Sequence, residues 1–265
     1  MCRLFGLVAN KEVNVKFSFL KANLSFKELG SKNPHGWGIG YYKNGNPEIT
    51  KESKSIEKSL KLNDIIEQKI SNIFISHVRK SSGTEIKYVN THPFGYEKWI
   101  FAHNGTIDIK DHIKEQLWSK YSKLIKGETD SEIFFFLLIQ SIERNKDIIE
   151  GIKEVIGFIK DNKGNDTTSL NFLLTNGEKM YSLRMVFKRE DNYTLYYLNR
   201  DPRGFNEMNY KSEETKLLIY SKSLAGEKAV IICSEQLTSE EDWISFSNGS
   251  LVVVDNDLKI SEVKI

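Results

Sequence analysis

Cys2 joins two reactive groups on one residue. It stands in the run Met1-Cys2-Arg3-Leu4-Phe5-Gly6, so removal of Met1 would free an α-amine on the residue that bears the thiol. An α-amine titrates at about 7.7–8.0 and a free cysteine near ~8.5. The amine can therefore take a proton in the pH range where the thiol must lose one. A nucleophile that carries its own base is the arrangement of N-terminal nucleophile catalysis. A second residue as small as cysteine also favours methionine removal. The alternative is a small apolar residue opening a strand, the ordinary condition of a buried free cysteine.

Other positions suit an amide substrate. Arg79 ends the expected buried strand through Ile73–Val78, where an unpaired guanidinium would be costly. Either a ligand carboxylate, bound bidentately, or an internal Asp or Glu would satisfy it. Asn104-Gly105 follows the run Trp99–Ala102. A side-chain amide and a backbone N–H there could converge on a developing oxyanion, where loss of one donor lowers turnover about 100–1,000-fold; the other reading is a plain Asn-Gly turn. Asp130 lies in Thr129-Asp130-Ser131-Glu132, the pattern of a capping box that opens a helix. Its carboxylate either complements the helix dipole or faces a substrate ammonium. His35, His77, His92 and His103 match no zinc-ligand spacing. They read as hydrogen-bonding residues at strand ends, and no metal or cofactor is expected. Cys233 reads as a small core residue within a strand.

Strands are expected over 3–9, 36–42, 73–79, 99–102, 170–174, 180–187, 193–197, 216–221, 229–233 and 251–254. Helices are expected over 17–29, 55–70, 109–124, 130–145 and 147–161, with a hairpin turn at Asn44-Gly45. Strands, then helices, then strands, without regular βαβ alternation, predict an α+β layered domain. A net charge of +2 excludes a basic field for nucleic acid. Two cysteines build no disulfide framework, which favours a reducing, cytoplasmic setting. The opening residues lack the pattern of a signal peptide. The longest apolar run, Ile133–Ile139, falls short of the roughly 20 residues of a membrane span.

The order of the motifs is more specific than any one of them. Cys2 is followed by Gly36-Trp37-Gly38, His77-Val78-Arg79, Asn90-Thr91-His92-Pro93-Phe94, Ala102-His103-Asn104-Gly105 and Gly127-Glu128-Thr129-Asp130-Ser131-Glu132. This set resembles the class II glutamine amidotransferases, the N-terminal-nucleophile type. It is most similar to the small stand-alone subgroup that begins Met-Cys-Arg-Leu-Phe-Gly. The tail, through Val230–Thr238 and Trp243, resembles that subgroup too.

The resemblance implies a four-layer αββα sandwich, formed by residues 1–265 as one domain, with Cys2 at a strand start between the sheets. It implies that Cys2 attacks the γ-carboxamide of glutamine while its α-amine, directly or through a water, takes the thiol proton. Asn104 Nδ2 and the Gly105 N–H would hold the oxyanion. Ammonia leaves, and water hydrolyses the γ-glutamyl thioester. Arg79 would hold the substrate α-carboxylate and Asp130 the α-ammonium, which selects a γ-glutamyl group because other acyl donors leave those charges unpaired.

Departures from the family pattern lie beside the arginine. Lys80 and Ser82 stand where the large synthases have Trp and Thr. Ser82 keeps a hydroxyl that can donate to the substrate, and Trp37 either closes the pocket or packs in the core. The ammonia-consuming second domain of the large synthases is expected to be absent. The chain is then a hydrolase of glutamine or of a larger γ-glutamyl amide or peptide. Alternatively it is a subunit that passes ammonia to a separate protein partner, or a non-catalytic γ-glutamyl-binding module.

Overall fold

The structure, a computed structural model, describes residues 1–81, 83–201, 208–211, 218–221 and 227–265. Strands and helices are numbered along the chain. Strand β1 (Arg3–Val13) explains the layering by itself. Leu4 and Val8 point one way, Phe5, Leu7 and Ala9 the other, and both sides are buried. A strand covered on both faces must lie inside a stack of layers.

It sits in a seven-stranded antiparallel sheet with order β13-β9-β12-β1-β4-β2-β3. Its other strands are β2 (Trp37–Lys43), β3 (Asn46–Glu52), β4 (Ser71–Val78), β9 (Tyr196–Arg200), β12 (Ala229–Cys233) and β13 (Ile244–Ser245). A six-stranded antiparallel sheet faces it, with order β15-β14-β8-β7-β6-β5. These strands are β5 (Phe94–Tyr96), β6 (Trp99–Asn104), β7 (Asn171–Thr175), β8 (Lys179–Arg184), β14 (Ser250–Asp255) and β15 (Ile260–Lys264). β10 (Met208–Lys211) and β11 (Leu218–Ser221) pair with each other.

Leu4, Val8, Ile73 and Ile75 meet Ile100, Ala102, Leu173 and Met180 between the sheets. Helices α1 (Phe26–Ser31) and α2 (Leu62–Gln68) cover the outer face of the first sheet through Phe5, Leu7, Ile39 and Phe74. On the other side, α5 (Asp130–Asn145) and α6 (Ile148–Asn162) cover Phe101, Phe172 and Leu183, flanked by α3 (Lys110–Gln116) and α4 (Ser119–Ser122). The expected αββα order is therefore observed. Ser131 through Ile142 of α5 are all buried, as befits a helix clamped between a sheet and a second helix. Phe135 stacks on Phe101 with ring centres 5.2 Å apart; truncating such a ring to alanine costs about 3–5 kcal/mol.

The helices at 17–29, 55–70 and 109–124 are shorter than their periodicity predicts, and tertiary hydrogen bonds interrupt the first and the third. A single wide turn at Phe17–Lys21 precedes α1, and between them Leu24 N donates to Leu237 O (3.0 Å). A short 3₁₀ turn at Ile56–Lys58 precedes α2. α3 stops where Trp118 N donates to Gln140 Oε1 of α5 (2.6 Å). The strand expected at 193–197 forms at 196–200 instead. Positions 216 and 217 of the strand expected over 216–221 lie outside the described residues. Strands β3 and β15 escaped the sequence pattern because both are half-exposed sheet edges without alternation.

Candidate active site

Strand parity decides which side chains meet. Alternate residues share a face. Cys2 therefore follows Leu4 toward the space between the sheets, Arg79 follows Ile75 and His77, and Asn104 follows Ile100 and Ala102. The register Arg3↔Val78 of β1 with β4 sets Cys2 across from Arg79. Two of these residues leave one sheet, and the third leaves the facing sheet.

Cys2 is half-buried, and its Sγ accepts the Lys80 N–H at 3.2 Å. Burial pushes the thiol pKa up; the Lys80 N–H and the positive charges of the terminal amine, Arg79 and Arg3 pull it back. Arg3 is itself fixed by Glu235 Oε1 at 2.7 Å. The Lys80 segment is held from behind. His35 N donates to Arg79 O (3.1 Å), Arg79 N to Gly36 O (2.7 Å), and Ser81 N to His35 Nδ1 (2.9 Å). Gly36 takes φ 137°, a conformation that side-chain-bearing residues rarely adopt.

Arg79 is 4% exposed. Its Nη2 donates to Thr84 Oγ1 (2.6 Å) and Ser81 Oγ (3.2 Å), its Nη1 to Glu85 O (3.3 Å) and His35 O (3.4 Å). All four acceptors are neutral. Among the described residues no carboxylate lies within 4 Å of the guanidinium, so an internal salt bridge does not satisfy it. Burial lowers its pKa, opposed by the fields of Cys2 and Asp130. That electrostatic reach ties the three groups to one locality.

Among the described residues the Asn104 carboxamide makes no hydrogen bond, and no backbone acceptor takes the Gly105 N–H. Gly105 passes so close to β7 that an added Cβ would fall on the Ser169 carbonyl oxygen and 2.8 Å from His103 Nε2. Only glycine fits there. Asp130 accepts Ile107 N at 2.6 Å and Ser131 N at 2.9 Å. It thereby fixes the turn after Gly105. The cap of α5 comes from Thr129, whose Oγ1 accepts Glu132 N (3.2 Å). Glu132 does not return the bond as a capping box requires; it takes Lys126 N (3.1 Å) and Gly127 N (2.7 Å) instead. A cavity of about 300 Å³ opens between Thr84, Thr106, Ile107 and Asp130.

The histidines divide into two kinds. His35 and His103 hydrogen-bond as expected, His103 to Ser131 Oγ (2.9 Å) and Ser169 O (3.1 Å). His77 and His92 do not: both are buried, their ring centres lie 4.2 Å apart with planes tilted by 36°, and among the described residues no ring nitrogen of either has a hydrogen-bond partner. The His103 backbone lies beside the His77 ring without reaching hydrogen-bond geometry. Burial, then the charge of Arg79, pushes the His77 pKa down to about 3, and burial holds His92 well below its ordinary value.

Trp37 is fully buried in the outer core with Nε1 on Glu52 Oε2 (3.2 Å), so it packs there and does not close the pocket. Ser82 lies outside the described residues. Cys233 is buried among the helix-side core residues, and burial pushes its thiol up to about 12. Among the described residues no three His, Cys, Asp or Glu side chains are grouped as metal ligands. Sequence reading missed Lys80 N–H, His35 and Thr84 as partners of the site. A histidine-glycine pair before a strand was the available signal for His35; the other two depend on loop geometry.

The family model for class II glutamine amidotransferases matches residues 1–263. The chain belongs to that family. An uncharacterized protein of Methanocaldococcus jannaschii is 34% identical over 97% of this chain and 70% of its own length. A glutamine aminotransferase class-II domain protein from Silicibacter pomeroyi superposes with a TM-score of 0.66 at 16% identity, over 100% of this chain and 99% of that one. The glutamine phosphoribosylpyrophosphate amidotransferase of B. subtilis gives 0.67 at 15% identity, over 99% of this chain but 49% of that one. These structural likenesses place the amidotransferase chain in the N-terminal-nucleophile fold. No helix among its described residues is long and apolar enough to cross a membrane.

Proposed function

We propose that this amidotransferase, as one domain spanning residues 1–265, hydrolyses the γ-amide of glutamine or of a larger γ-glutamyl amide through a thioester on Cys2. After removal of Met1, the Cys2 α-amine takes the thiol proton. The thiolate then attacks the γ-carbonyl carbon. Asn104 Nδ2 and the Gly105 N–H receive the oxyanion, while the Lys80 N–H stabilises sulfur before attack. Collapse expels ammonia or an amine, which leaves with the proton held by the α-ammonium. Water then adds to the thioester, glutamate departs, and the thiol is restored. Arg79 pairs with the substrate α-carboxylate, Asp130 with its α-ammonium, and Ser82 supplies a further hydroxyl.

The observation that carries this reading is the state of Arg79: a buried guanidinium, close in field to Cys2 and Asp130, whose partners among the described residues are all neutral. A ligand carboxylate supplies what it lacks. The decisive measurement is ammonia release from glutamine and a panel of γ-glutamyl amides, with Cys2→Ala as control and intact mass to verify loss of Met1. Activity that survives Cys2→Ala, or in a preparation retaining Met1, defeats the mechanism. A chain silent alone but active beside an ammonia-consuming protein would make it an amidotransferase subunit. A chain that binds γ-glutamyl compounds without turnover would make it a binding module.

A further inference from the structure

A second cavity, of about 290 Å³, lies at the side mouth of the sandwich. Edge strands β3 and β5 of the two sheets meet there with Leu124, Lys126 and the start of α5. Lys51 of β3 stands in it. Its Nζ donates to Thr91 O (2.7 Å) and more weakly to Pro93 O (3.5 Å). The ammonium lies 5.0 Å from the ring centre of Tyr88 and 5.2 Å from that of Phe94. Among the described residues no carboxylate lies within 4 Å of it. Glu132 on the same wall is already committed, accepting Lys126 N and Gly127 N. Burial, followed by the charge of Lys126 and against the pull of Glu132, brings the Lys51 pKa down to about 8. The remaining walls are apolar, with Ile49, Leu124, Phe135 and Phe136. A cation that has lost water without gaining a counter-ion is a ready partner for an anion.

We propose that this cavity binds a small organic carboxylate, its anionic head on Lys51 and its flat apolar body against Tyr88, Phe94 and Phe135. The site shares no residue with the Cys2 locality. Its volume is at the lower end of ligand pockets, roughly 300–1,000 Å³, which suits a body the size of one ring. The test is acetylation of the intact protein by acetic anhydride near neutral pH, read residue by residue by mass spectrometry, with and without millimolar benzoate. Inorganic phosphate supplies the charge without the apolar body. Benzoate is expected to slow labelling of Lys51 several-fold while leaving the exposed lysines unchanged, and phosphate to protect far less. Calorimetric affinity for benzoate should fall roughly tenfold or more in Lys51→Met and be largely kept in Lys51→Arg. A Lys51 that is inert to the reagent, or equally reactive with and without benzoate, overturns the site. Equal protection by phosphate overturns the stated ligand class. The wild-type labelling decides the matter even if Lys51→Met fails to fold.

Discussion

Replacing Asn104 by alanine separates chemistry from architecture. The side chain is 3% exposed and makes no hydrogen bond among the described residues. Its removal strands no partner, so the stability loss is confined to a few packing contacts, about 1 kcal/mol or less. For a chain of this size that is a melting shift of roughly 2–4 °C. Its proposed contribution appears only when charge develops on the substrate oxygen. The expected loss is therefore in kcat, about 100–1,000-fold, equivalent to about 2.7–4 kcal/mol, with KM nearly unchanged. Asn104→Asp sharpens the comparison, since it keeps the shape but replaces a donor with an acceptor that repels the oxyanion. It should turn over no faster than the alanine variant. Steady-state ammonia release and a thermal melt on the same preparations give both numbers. A kcat within about threefold of wild type, or a kcat loss matched by a collapse in melting temperature, refutes the oxyanion role.

Arg79→Ala should raise KM for glutamine roughly five- to thirtyfold, the net gain of one or two exchanged bonds at about 1 kcal/mol each, and Asp130→Asn roughly tenfold or more; kinetics that change kcat alone would contradict the clamp. Gly105→Ala drives a methyl onto the Ser169 carbonyl. Denaturant melts should show a loss of about 1–3 kcal/mol or more, together with loss of turnover. His77 has an ordinary pKa of 6.5 and a folded value of about 3. The unfolded chain therefore binds the proton first as pH falls, and stability present above pH 6.5 is lost toward pH 3. The slope is about 1.4 kcal/mol per pH unit for that histidine below about pH 6. His77→Phe should flatten the dependence of melting temperature on pH over that interval; an unchanged slope would show that the ring is not buried in its neutral form.

The positions proposed for the site could be picked out from residue order because they stand at strand ends, where the period of two carries from the apolar run to the polar residue that follows. Leu4 locates Cys2, Ile75 locates Arg79, and Ala102 locates Asn104. The layers were legible for the same reason, since runs such as Ala229–Cys233 have no polar face to spare. What escaped depends on contacts distant in sequence. The halt of α3 follows from Gln140 on another helix, and the half-exposed edge strand β3 has no alternation to detect. The His77–His92 contact joins β4 to the segment before β5, and a single strand's pattern contains no sign of it. The internal alternatives for Arg79 were balanced in the sequence because the choice turns on which oxygen atoms Ser81, Thr84 and Glu85 present.

Those oxygens also bear on how the clamp would select its ligand. Arg79 already donates to four neutral oxygens, so a carboxylate gains no empty guanidinium. It must replace some of these bonds, and a neutral bond is worth about 0.5–1.5 kcal/mol against about 1.5–3 for one to a charged group. The net gain per exchanged bond is therefore small, on the order of 1 kcal/mol. A neutral ligand oxygen making the same exchange gains almost nothing. Arg79 in this arrangement contributes discrimination more than affinity, and tight capture requires Asp130 to act on the opposite charge of the same molecule. Glutamate derivatives lacking the α-amine should thus lose nearly as much as those lacking the α-carboxylate, because neither clamp alone offsets the entropy of ordering the ligand.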